Sequence, residues 1–164
     1  MVKHTTHTNL KALSRFLQIL DGTFPSGIFV HSFGLEPHII KQSVKDITTL
    51  KTYLKNVIID QYANMEFIYI KKVYDALKGN KLYLIKKMDN NYGRYLTYEY
   101  TKSSVNIGNN YYTHIKNHAT KEIVKEYFSL VENKKTLANE IIVLSVYAYD
   151  LDICMEDFIV MWTK

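Results

Sequence analysis

Apolar residues open the chain at Leu10, Leu13, Leu17 and Leu20, a rhythm of threes and fours that predicts one stripe of a helix. Asp21-Gly22 is expected to end it, since glycine tolerates the backbone angles of a helix stop. Pro25 and Gly27 then predict a tight turn, followed by a helix from about Ile28. Pro37 lacks an N–H and restricts Glu36, so a kink or break is expected there. Asp46 suits the N-cap of the next helix. Apolar positions recur after it at Ile47, Leu50, Leu54, Val57, Ile58, Met65, Ile68, Val73 and Leu77. Helical spacing thus persists over 47–77, with the weaker stretch 61–64 expected to hold a bend. Gly79-Asn80 reads as a turn. Further helices are predicted over 81–88, closed by Asp89-Asn90-Asn91, over the tyrosine-rich 92–118, over 121–131, over 137–149, and from about Cys154 with Asp152 as cap. No segment alternates as a strand would, and no Asn-Gly hairpin occurs. The expectation is an all-α, single-domain bundle of roughly six to eight helices, behind a polar and mobile stretch at residues 1–9.

Composition narrows this picture. A chain of 164 residues has the length of one domain with a real core. Its 47% apolar content excludes a disordered chain. No apolar run reaches the roughly 18 residues of a membrane span, and the N-terminus lacks the apolar core of a signal peptide. Cys154 is the sole cysteine, so no internal disulfide can form and a cytoplasmic location is expected. The net charge of +5 raises nucleic acid as a partner. The lysines are spread along the chain, however, and Arg15 and Arg94 are the only arginines. Solvated helix faces explain that pattern better, and a basic helical nucleic-acid-binding module stands as the alternative. Tyr83, Tyr92, Tyr95, Tyr98, Tyr100, Tyr111 and Tyr112 crowd one region, suiting either a partner surface or a wet-edged core.

The densest chemistry lies at residues 24–36, where Pro25, Gly27 and Gly34 stand among three phenylalanines with His31, Ser32 and Glu36. On a helix Ser32 and Glu36 share a face, which favours a local hydrogen bond. Gly34 costs a helix about 1 kcal/mol, so a close backbone approach is expected there. A hydrolase is disfavoured, because no Gly-x-Ser-x-Gly elbow is present and no acid is placed to orient His31. His114 and His118 are four apart and form a weak candidate pair for a divalent metal, with no acid between them. Asp150, Asp152, Glu156 and Asp157 surround Cys154, where capping is the simpler reading. There is no P-loop, dinucleotide fingerprint or Cys-x-x-Cys pair.

Ile19, Asp21, Phe24, Pro25, Gly27, Phe29, His31, Ser32, Gly34, Leu35 and Glu36 together resemble the signature of the UreF family of urease accessory proteins. Farther on, Glu99 and Gly108 fit a later family helix, whereas Thr101 and Asn110 stand where arginines are usual. The resemblance implies a UreF-like helical domain over 10–164 whose C-terminal part is absent, since relatives continue past the Trp162 position. On that expectation Phe158, Ile159, Met161 and Trp162 would be exposed. The resemblance further implies a non-enzymatic chaperone for nickel insertion into apo-urease, a scaffold linking UreD/UreH to the GTPase UreG. It implies a cytoplasmic homodimer that binds neither nucleic acid nor membrane and holds no cofactor stably, with nickel as a transient visitor. Phe24, Pro25, Gly27, His31, Ser32, Gly34, Leu35 and Glu36 would form the partner-binding motif. His31 and Glu36 would be its most direct polar members, and with His114 and His118 the weak candidates for touching metal.

Overall fold

The structure is a computed structural model that describes residues 9–21 and 35–163. Among these residues there is no strand, as the periodicity predicts. Helix α1 (Leu10–Leu20) is N-capped by Asn9, whose Oδ1 accepts from the Lys11 N–H at 2.9 Å. Its buried residues are Phe16 and Ile19, while Leu10 and Leu17 are exposed. The leucine stripe is therefore split: Leu13 and Leu20 are half-buried against the core, and Leu10 and Leu17 face outward. The ring of Phe16 anchors the helix, stacked at 6.3 Å on Tyr147 and edge-on at 5.6 Å to Phe158.

Helix α2 (Leu35–Ile40) runs through Pro37 without the expected break. Pro37 lies in its first described turn, and its carbonyl still accepts from the Lys41 N–H. The chain leaves α2 at Gln42, whose φ is 57°. Helix α3 (Ile47–Asn56) starts at Asp46 with a capping box. Asp46 accepts from the Thr49 N–H at 2.8 Å, and the Thr49 hydroxyl accepts from the Asp46 N–H at 3.0 Å. The predicted helix over 47–77 is one continuous rod in three parts: α3, a π-helical stretch (Val57–Glu66) that includes the weak segment, and α4 (Phe67–Lys78). Gly79-Asn80 turns the chain, with Asn80 at φ 50°.

Helix α5 (Leu82–Tyr92) does not stop at Asp89-Asn90-Asn91. The predicted helix over 92–118 does break. A 3₁₀ turn (Gly93–Tyr95) precedes α6 (Tyr98–Ile115), which Thr97 caps, and a second 3₁₀ turn (Lys116–His118) follows. The hydroxyl of Thr101 lies 2.9 and 3.0 Å from the carbonyl oxygens of Gly93 and Thr97, tying α6 to the first turn. Then come α7 (Glu122–Glu132), α8 (Glu140–Asp150) and α9 (Met155–Trp162). The nine described α-helices exceed the expected number because the long rod is divided.

Helix α8 is the axis of the bundle. Nine of its eleven residues are buried, so it needs neighbours on every side. It packs against α4, α5, α6, α7 and α9. Tyr74 of α4 reaches across to donate to the Ile153 carbonyl at 3.1 Å, with its ring stacked on Phe158.

A buried carboxylate organises the entry to α8. Asp89 is fully buried, and its carboxylate accepts from the Ala138 and Asn139 N–H groups, the Asn139 amide, the Tyr127 hydroxyl and the Thr136 hydroxyl, all within 2.9 Å. A buried carboxylate that accepts this many bonds is stabilised in place of water. It holds residues 136–139, where Ala138 sits at φ 63°, against α5. Gly108 of α6 makes room for the same segment. A Cβ there would lie 2.7 Å from the Glu140 nitrogen and closer still to the Ala138 carbonyl oxygen. Close backbone approach, argued for Gly34 from the sequence, is seen here at Gly108.

The far end of α8 is fixed by a second carboxylate. Asp150 accepts from the Thr120 and Lys121 N–H groups, at 2.7 Å for Lys121, and so caps the entry to α7. Lys121 pairs with Asp152 at 2.7 Å and lies over the Tyr149 ring. Asp152 is therefore not the cap of α9. Cys154 takes that place, its sulfur accepting from the Asp157 N–H at 3.4 Å. Nor is α9 exposed as expected. Phe158 and Met161 are buried and Ile159 and Trp162 are packed against the core, leaving Val160, 70% exposed, as the outward apolar residue.

Candidate partner-binding surface

Of the motif residues, Phe24, Pro25, Gly27, His31, Ser32 and Gly34 lie outside the described residues. Leu35 and Glu36 open α2, Leu35 half-buried and Glu36 exposed. Helices α2 and α3 bury no residue of their own. They are held to each other by His38, which the sequence reading passed over. Its Nδ1 lies 2.9 Å from the Ser43 hydroxyl, and its ring is 5.0 Å from that of Tyr53. Val44 is buried in the connection between them. The helices form an arm that displays Ile39, Ile40, Ile47 and Leu54, with Ile40 80% and Ile47 64% exposed. An apolar display of this kind suits contact with another protein.

The arm joins the body at a junction of acids and phenols. Glu66, the last residue of the π-helical stretch, is buried and accepts from the Trp162 indole N–H. Burial, reinforced by the charge of Glu66, lifts the carboxyl of Glu140 to about 7. Burial and the same two acids push the phenol of Tyr62 up to about 12. Tyr92 and Tyr100 are raised by burial first and then by Glu66 and Glu140. The junction thus links the π-helical stretch, α5, α6, α8 and α9 through groups that disfavour further negative charge. Neither Glu66 nor Glu140 carries a local sequence signal. They converge from positions 74 apart, which no helical periodicity reports.

The weaker candidates are placed apart. His114 is exposed on the last turn of α6, while His118 is exposed in the 3₁₀ turn beyond it, so the pair does not share an unbroken α-helical face. Of the acids around Cys154, Asp150 caps α7 and Asp152 pairs with Lys121, while Glu156 and Asp157 lie in the first turn of α9. Among the described residues no three His, Cys, Asp or Glu side chains gather as a metal site would require. No described helix is long and apolar enough to cross a membrane. The tyrosine-rich region divides: Tyr92, Tyr111 and Tyr112 are buried, whereas Tyr83, Tyr95, Tyr98 and Tyr100 are exposed.

The UreF family model matches residues 44–164, well over half of the chain. The chain belongs to the UreF family. The matched stretch begins after the motif at residues 24–36, so it supports membership independently of the residues that first carried the resemblance. UreF proteins are urease accessory proteins, a chaperone family and not a catalytic one. No solved structure matches the chain.

Proposed function

We propose that this UreF protein is a non-enzymatic scaffold for nickel insertion into apo-urease, linking a UreD/UreH-type protein to the GTPase UreG. The family match over 44–164 carries the reading. The exposed apolar arm is consistent with it, since a scaffold needs surface that its own core leaves free. On this proposal the protein works in the cytoplasm as a homodimer, and nickel is cargo that passes from the GTPase to urease. The motif residues Phe24, Pro25, Gly27, His31, Ser32, Gly34, Leu35 and Glu36 shape the partner surface. His31 and Glu36 are its most direct polar members, as hydrogen-bonders to the partner or as transient contacts to nickel.

The test is reconstitution. Tagged protein is expressed with the urease subunits, UreD and UreG, and both co-purification and urease activity are measured. Capture of UreD and UreG together with nickel-dependent activation is expected. Replacing His31 and Glu36 by alanine should weaken capture while leaving the far-ultraviolet circular dichroism unchanged. Full activation without this chain would overturn the reading.

A further inference from the structure

A groove of about 200 Å³ lies between α4 and α5. Tyr69 and Lys72, three apart on α4, form one wall, and Lys87 and Asn91, four apart on α5, form the other. Met88 and Tyr95 complete the lining. The aromatic side is built: Tyr69 meets Tyr92 edge-on at 4.9 Å and Tyr95 at 6.5 Å. Tyr95 itself is 71% exposed, a large ring held at the rim without being covered.

The electrostatics are one-sided. The described ion pairs are Lys71–Asp75, Lys116–Glu132, Lys121–Asp152 and Lys125–Glu122, and none involves Lys72 or Lys87. The acids nearest in sequence are committed elsewhere, Asp75 to Lys71 and Asp89 to its buried network. Two lysines outside these ion pairs therefore line a groove whose other walls are Met88, Asn91 and the tyrosines Tyr69 and Tyr95.

The geometry points to a docking groove for an acidic peptide segment of a partner protein, one carboxylate between Lys72 and Lys87 and an adjoining apolar side chain on Met88 and Tyr95. Lysine ammonium groups attract carboxylates as point charges, and a tyrosine rim provides rigid contact area at low entropic cost. A nucleic acid fits less well. The groove has room for one or two side chains, not a track for a phosphate backbone, and it contains no arginine fork. The inference rests on reading the protein as a scaffold and adds a second contact surface to it.

The probe is a fluorescein-labelled hexapeptide, Asp-Phe-Glu-Asp-Leu-Glu, titrated with the full chain and followed by anisotropy. Saturable binding is expected, weakening several-fold as salt rises from about 50 to about 300 mM. Lys72→Glu with Lys87→Glu should weaken it at least tenfold, and Tyr95→Ala by a smaller factor. The double variant should in turn bind the lysine counterpart of the peptide, which also shows that it is folded. Equal affinity of the wild type and the double variant for the acidic peptide would overturn the proposal. So would tighter binding of a 12-mer of single-stranded RNA that displaces the peptide. The assay contains no urease component, so its failure leaves the nickel-insertion reading untouched. Conversely, failed urease activation leaves the groove untouched.

Discussion

Helices α8 and α3 are nearly equal in length and opposite in surroundings. Almost every residue of α8 is buried, and its polar neighbours are bonded in detail, Asp89 at one end and Asp150 at the other. Helix α3 buries nothing, yet it has the better local start, a complete capping box at Asp46 and Thr49. The two helices rest on different links of the chain from sequence to structure. The first is a product of tertiary packing, where local propensity matters little. The second holds its shape through local bonds and leaves its side chains for something else to cover.

The sharpest way to break the comparison is at Gly108. Gly108→Ala puts a methyl group into backbone atoms of Ala138 and Glu140, which cannot swing aside. A loss of about 3–5 kcal/mol is expected in urea titration, with the entry to α8 displaced. An unchanged midpoint would mean that the segment moves freely. Next is Asp89→Ala, which strands two backbone N–H groups and two hydroxyls in the core. It should destabilise by about 3–4 kcal/mol, whereas the exposed Asp60→Ala on the rod should cost less than about 0.5.

Protonation gives a third and smaller effect. The Glu140 carboxyl rises from its ordinary 4.5 to about 7 in the folded chain. The folded state therefore binds the proton more tightly than the unfolded one. Its stability is undiminished below about 4.5 and is lost as pH climbs from there to about 7, by about 3 kcal/mol in all. The urea midpoint should fall across this window, and Glu140→Gln should flatten the fall. A wild-type midpoint that rises or stays level would remove Glu140 from the account. The smallest effect on stability belongs to the arm. Ile40→Ser and Leu54→Ser should each change unfolding by no more than about 0.5 kcal/mol. In co-purification with the other urease accessory proteins, the same substitutions should lower recovery.

What the sequence discloses follows the same division. The start of α3 is legible because Asp46 and Thr49 are three residues apart and bond to each other. The all-α class is legible for the same reason, since helical periodicity is local. The continuation of α5 through Asp89-Asn90-Asn91 is not. Locally those residues read as a helix break, but partners 38 to 50 positions away satisfy Asp89 and let the helix run on. Helix α1 is legible from its leucines, but its buried side is centred on Phe16 and Ile19, between Leu13 and Leu20, because packing favours the large ring that meets Tyr147 and Phe158. The junction of Glu66, Glu140 and Trp162 exists only once the π-helical stretch, α8 and α9 are assembled. Of the motif at residues 24–36, the described structure reaches Leu35 and Glu36 alone.

The π-helical stretch between α3 and α4 sets an angle as well as a length. Each of its turns takes up more residues than an α-turn does, so the phase of the rod differs on its two sides. Side chains counted in threes and fours up to Asn56 do not line up with those counted the same way from Phe67. The arm therefore faces a direction that an uninterrupted α-helix of the same sequence would not give it. Removing one residue from the stretch would turn the arm's apolar display about the rod axis by somewhat less than the roughly 100° that a residue contributes in an α-helix. Val57–Glu66 is in this sense a dial built into the backbone, by which a one-residue change could re-aim the arm without redesigning the body.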